Sequence, residues 1–318
     1  MVRQKLVALC GVVLLLALES GAQAAEANRP VTGGAAVSAE KFRMIAGAGG
    51  LPIAAMEWGN PDGPAILFLH GFSFAKEFWR LQNAPELSSR FHMVAIDLRG
   101  HGASGKPWAP AEYQDTRIWA DDVAATLQAF GLRSPVIVGW SFGGFVAMDY
   151  LRHYGNNSVA GVMLVSSPAG LVDSLHPDTP GYSAAAAQQG SLDLSDNIRG
   201  ERFFVRLMTA KPLAPAVEEE WLVETLRMPV YARNAMRNRP LGNKDLLPTL
   251  ATPLMLVVGG EDRSMPVAAL RGLTEGHPKI SFTSMPAAGH AVAYETPDTF
   301  NRLLREFTER TQTSSPKH

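Results

Sequence analysis

The chain has almost no cysteine. Cys10 is the only one in 318 residues, so no internal disulfide framework and no cysteine-based zinc site can form. Charge of one sign is not in excess either, with 29 Lys and Arg against 30 Asp and Glu for a net charge of -1. That balance gives no support to broad electrostatic binding of nucleic acid. The histidines show no metal-ligating spacing, and no glycine-rich dinucleotide fingerprint is present, so no metal or cofactor is expected. No internal repeat occurs. Long apolar runs are also missing: the longest opens the chain at residues 6–18, and thirteen residues fall short of the roughly 20 a membrane span needs.

What is there begins with an address. Arg3 and Lys5 precede the apolar run, and Ala22-Gln23-Ala24 follows it with small residues where signal peptidase reads. This layout predicts a signal peptide over 1–24, cleaved after Ala24 or, as second choice, after Ala25. A lipidated Cys10 would need a small residue before it, where Leu9 stands. Loss of Arg3, Lys5 and Glu19 with the peptide leaves 27 basic against 29 acidic residues and no cysteine. Such a chain suits the periplasm or the medium whatever the redox poise, with no membrane attachment after cleavage.

Residues 25–40 are small and polar and read as a linker. Hydrophobic residues at 46% and charged residues at 19% then demand a buried core. Apolar strand segments are expected at 42–46, 51–58, 65–69, 92–96, 135–138, 162–165 and 254–258, with an edge strand at 280–284. Helical patterns alternate with them at 118–130, 142–154 and 299–311. In the first, Val123, Leu127 and Phe130 share a face, and Asp121 and Asp122 lie toward the positive end of the dipole. Strands alternating with helices predict an α/β fold with a mainly parallel sheet. The alternation stops between about 169 and 249, where proline-rich loops separate helical clusters. This predicts a core over 41–169 and 249–311, an inserted helical cap over 170–248, and a frayed tail over 312–318.

Gly139-Trp140-Ser141-Phe142-Gly143 follows one of these strands and opens a helix. A sharp strand-to-helix turn exposes the serine, and the flanking glycines let neighbouring backbone pass. A serine hydroxyl needs a base. His290, in the small-residue loop Ala288-Gly289-His290-Ala291 after the last strand, is placed to serve. The histidine needs an acid to fix its tautomer. Glu261 and Asp262 both close the strand at 254–258, and Asp262 is preferred.

These motifs resemble the α/β-hydrolase superfamily, in the branch of capped, cofactor-free esterases and haloperoxidase-like enzymes. Phe68-Leu69-His70-Gly71-Phe72 matches that family's oxyanion turn, and the run from Asp97 to Ser104 matches its loop after the fourth strand. The order Ser141, Asp262, His290 is the family's order. The resemblance covers about residues 42–307 and implies an oxyanion hole from the backbone N–H groups of Phe72 and Phe142. It implies bracing roles for His70, Arg99 and His101. The family's alternative acid position reads Ser166-Ser167-Pro168, with Asp173 only later. Ser141 stands where epoxide- and halide-displacing relatives carry aspartate.

The sequence therefore points to a serine hydrolase cleaving a small to medium, largely apolar carboxylic ester, a small-molecule substrate. Trp140 beside the serine, and Phe203, Phe204, Met208, Trp221 and Met228 of the cap, are the candidate pocket residues; the cap set could equally pack the cap alone. The same triad serves C–C bond cleavage, lactone opening and perhydrolysis, and some members of the fold are ligand receptors. A peptidase would need an acidic site for the substrate amine, for which Glu218, Glu219 and Glu220 are the candidates.

Overall fold

The protein is described here from a computed structural model that covers residues 38–173 and 179–313. The expected signal peptide, nearly all of the linker and the last five residues lie outside them.

Eight strands make one sheet: β1 (Lys41–Ala46), β2 (Pro52–Gly59), β3 (Ala65–Leu69), β4 (His92–Ile96), β5 (Val136–Trp140), β6 (Gly161–Val165), β7 (Leu254–Gly259) and β8 (Ile280–Met285). Their order is β1-β2-β4-β3-β5-β6-β7-β8. β2 pairs antiparallel with β1 and β4, and the remaining neighbours are parallel. The strands from β3 to β7 are buried at every position, which is why the sequence shows them as unbroken apolar runs. Successive side chains still alternate between two cores. Leu67, Leu69 and Ile137 enter one; Phe68, Val136, Val138 and Trp140 enter the other. β5 runs two residues past the expected 138, to Trp140, and β8 forms the edge as expected.

The α-helices longer than four residues cover both faces: α1 (Thr116–Phe130) and α2 (Phe142–Tyr154) before the insertion, and two more after it. In α1 the Asp115 side chain accepts the Arg117 N–H at 2.8 Å, and Gly131, at φ 63°, ends the helix. The expected dipole role of Asp121 and Asp122 needs correction. Neither lies in the first turn. Asp121 pairs with Arg117, whereas Asp122 is buried and takes two bonds from Arg99 at 2.7 and 3.0 Å and one from the Ala48 N–H at 2.8 Å. It is a structural anchor for the loop after β4.

Between β6 and β7 the chain forms α3 (Tyr182–Gln189), α4 (Leu194–Leu207), α5 (Pro215–Leu226) and α6 (Val230–Arg237), with no strand among the described residues. Arg233 joins these helices. Its guanidinium lies 2.9 Å from the Glu201 carboxylate of α4 and donates to the carbonyls of Gln189, Thr225 and Met228. Both charges are fully buried, so each depends on the other for compensation. α7 (Val267–Gly276) and α8 (Pro297–Thr313) follow, and the helix extends into the first two residues of the expected tail. Among the described residues no helix is long and apolar enough to cross a membrane.

Candidate active site

The parallel strands deliver their C-terminal ends to one edge of the sheet, where ligands bind in folds of this kind. β5 ends at Trp140 and α2 begins at Phe142, leaving Ser141 alone to make the turn at φ 51° and ψ −114°. A side chain seldom adopts that backbone, and surrounding contacts hold it. The Ser141 N–H donates to Val165 O at 2.9 Å, and Ser167 Oγ donates to Ser141 O at 2.6 Å. The flanking glycines are required sterically. A Cβ at 139 would come within 2.5 Å of Gly143 O, and one at 143 within 2.3 Å of Leu69 O.

Asp262 follows β7, and its Oδ2 accepts from His290 Nδ1 at 2.8 Å. Its Oδ1 accepts the Ser264 N–H at 2.9 Å and the Ser264 hydroxyl at 2.7 Å. Burial by itself would raise this carboxyl. The charge and hydrogen bond of His290, with the two bonds from Ser264, outweigh burial and hold it below its ordinary value. Nδ1 therefore carries the proton, and Nε2 is left as the basic nitrogen. Glu261, the other acid considered, is exposed. Asp173 pairs with Lys244 on the surface.

The histidine loop is tied down by backbone contacts. Trp140 Nε1 donates to His290 O at 2.9 Å, and the Ala291 N–H donates to Met208 O at 2.7 Å. Glu295 accepts from the Gly289 N–H at 2.7 Å and, with its other oxygen, from the Ala210 N–H at 2.8 Å. The loop is thus bonded both to β5 and to the segment just past α4.

Ser141 and His290 line one cavity of about 310 Å³, together with Phe72 and Phe142. The Phe72 and Phe142 rings lie 6.0 Å apart. Phe142 opens α2, so its N–H has no acceptor within the helix. Gly71, just before Phe72, passes so close that a methyl there would sit 3.2 Å from Ser141 Cβ. The structure therefore brings Ser141, Asp262, His290, Phe72 and Phe142 to one place.

The pocket candidates divide. Phe204 and Met208 line the cavity. Trp140 does not: it is fully buried and stacks on Phe78 at 3.7 Å, because strand alternation sends it into the core with Val138. Trp221 packs on Phe74 and Tyr294 at 5.3 and 4.8 Å, and Phe203 faces an outer groove beside Arg263. Met228 is buried under the Ser73 hydroxyl, which donates to its sulfur at 3.5 Å. Glu218 and Glu219 are engaged by Arg202, and Glu218 by Arg206 as well, so they form a salt-bridged helix face outside the cavity. Sequence reasoning missed Ser264 and the cap residues Tyr182, Gln189, Met236 and Arg237. An acid followed two residues later by serine was a usable signal for the first. Nothing local marks the others.

His70 and His101 brace the turns beneath. His70 Nδ1 donates to Gly71 O at 2.8 Å, and its Nε2 accepts the Leu98 N–H at 2.9 Å. Burial lowers His70 to about 3 despite the Gly71 bond, with nearby Lys76 pushing the same way. The unfolded chain takes up this proton below about 6.5. The folded protein refuses it until about 3, so this group withdraws stability as pH falls through that window. Asp149 and Glu224, raised by burial to about 6 and about 7, act in the opposite sense. An NMR titration of the ring isolates the effect: His70 should stay neutral at pH 4.5, and a ring that protonates near 6 refutes the assignment.

Residues 66–303 match the alpha/beta hydrolase family. The chain is 29% identical to the pimeloyl-[acyl-carrier protein] methyl ester esterase of Chromobacterium violaceum, over 78% of this chain and 95% of that protein. It is 37% identical to the bifunctional esterase/perhydrolase DCH of Acinetobacter calcoaceticus, over 37% of this chain and 42% of that one. Its fold superposes on a putative aryl esterase from Burkholderia cenocepacia with a TM-score of 0.80 and 29% identity, covering 86% of this chain and all of the other. With the match running from β3 through β8 and including the segment from Ser141 to His290, this chain belongs to the alpha/beta hydrolase family and is a hydrolase.

Proposed function

We propose that the protein cleaves small to medium, largely apolar carboxylic esters through an acyl-enzyme on Ser141. The observation that carries this is a cavity walled mainly by Phe145, Phe204, Leu207, Met208 and Met265, with Ser141 and His290 opening onto it. The esterases among its relatives support the same reading.

The chemistry follows from the tautomer. His290 Nε2 takes the Ser141 proton as Oγ bonds to the carbonyl carbon. The charge that moves to the carbonyl oxygen rests on the Phe72 and Phe142 N–H groups, each such donor being worth about a hundred- to a thousand-fold in rate. The C–O bond breaks, and Nε2 gives its proton to the departing alkoxide. Water then loses a proton to Nε2 and attacks the acyl carbon. The Ser141–acyl bond breaks and Oγ recovers the proton. Asp262 holds the ring and offsets the imidazolium charge throughout.

A series of p-nitrophenyl esters from acetate to decanoate tests the reading. Turnover should peak at short to medium acyl length, as about 310 Å³ of space allows. A folded protein that turns over none of them refutes ester hydrolysis and directs attention to lactones, C–C cleavage or perhydrolysis.

A further inference from the structure

The cavity is apolar but not neutral. Among its described lining residues one side chain is a permanent cation, Arg237 at the end of α6, and none is an acid. Arg237 has no carboxylate partner among the described residues. Its Nη1 donates to Ala186 O and its Nη2 to Gln189 Oε1, each at 2.6 Å. The nearest buried acid, Glu201, is already paired with Arg233. Two bonds to neutral acceptors leave three of the five guanidinium N–H groups for something else. Burial lowers this guanidinium, although Tyr182 and Glu201 oppose it. The charge is thus held at the cavity at some electrostatic cost.

Its position relates to the chemistry. The guanidinium carbon lies 5.7 Å from the centre of the Phe72 ring, and the Phe72 backbone belongs to the turn that passes Ser141. A substrate with its carbonyl at Ser141 and its chain across Phe72 would end at Arg237. A planar, forked cation is suited to grip a carboxylate with two parallel bonds.

We propose that Arg237 is a substrate-binding residue that selects esters bearing a carboxylate remote from the scissile carbonyl. This rests on the ester-hydrolase reading and narrows its substrate class. The competing role is structural: Arg237 lies against the last turn of α3, where a cation suits exposed carbonyls.

The test compares kcat/KM for monoethyl half-esters of dicarboxylic acids with that for neutral ethyl esters of equal length. Butyrate esters of ω-hydroxy acids place the carboxylate on the alcohol side instead and show which arm reaches Arg237. The wild type should prefer one anionic series by about tenfold, a preference that shrinks with added salt because the arginine is partly exposed. Arg237→Gln should bring the ratio to one or below, and Arg237→Lys should retain part of it. A wild type that disfavours both anionic series, or an Arg237→Gln variant that keeps the ratio, overturns the assignment. Binding of the half-esters to Ser141→Ala, with and without Arg237→Gln, needs no turnover. A tenfold difference there supports the anchor even if no ester is cleaved, and equal binding overturns it.

Discussion

Ser141→Ala should reduce turnover of the best p-nitrophenyl ester by about a million-fold, to the residual rate of an oxyanion hole and a binding site without a nucleophile. The size of the loss follows from the way the parts act as a unit. Without Oγ, His290 Nε2 has no proton to take, and Asp262 orients a base with no partner. The fold should be unaffected, because the bonds that hold residue 141 in its turn come from its own N–H and C=O, donated to Val165 and accepted from Ser167. Melting temperature checks that point. A loss smaller than about a hundred-fold in a folded variant would show that Ser141 is not the nucleophile.

Asp262→Asn should cost about ten thousand-fold in kcat, with KM little changed. An asparagine amide can turn its NH2 toward His290 Nδ1. The ring would then carry its proton on Nε2, the nitrogen that must be basic. Ser264 reinforces the contrast, since its N–H and hydroxyl both demand an acceptor at Oδ1, which leaves the amide nitrogen on the histidine side. Glu261→Gln, at the neighbouring exposed acid, should stay within about twofold of wild type. Kinetics of the two variants side by side decide the question, and a reversed pattern would move the acid to Glu261.

The sheet, and the gathering of Ser141, Asp262 and His290 at its edge, were legible because their signals are local. A buried parallel strand must be apolar along its whole length, and a strand-to-helix turn at a serine needs small residues on both sides. Each rule is satisfied within a few residues of chain. The pocket depends on how the cap docks, and single residues mislead there. Trp140 touches Ser141 in sequence, yet the two-residue period of β5 turns it away from the cavity. Phe203 and Phe204 are neighbours, but one helical step is about 100°. Phe204, Leu207 and Met208 share a stripe facing the cavity, while Phe203 shares the outer stripe with Arg206. The helical period of α4 could have sorted these two, had the cavity's side been known. Arg237 gives no such clue, sitting in a basic stretch with Arg233 and Arg239 whose buried ion pairs appear only in three dimensions.

The bonds between the cap and the histidine loop are made at the cap by Met208 O and the Ala210 N–H, which are backbone groups. Any residue except proline at 210, and any residue at 208, can supply them. What His290 requires from the cap is a path of the chain and no particular side chain. Substitutions on the cavity-facing stripe of α4 can therefore accumulate and redirect substrate choice while the histidine keeps its supports. Inheritance can remodel the roof of this enzyme without renegotiating its chemistry.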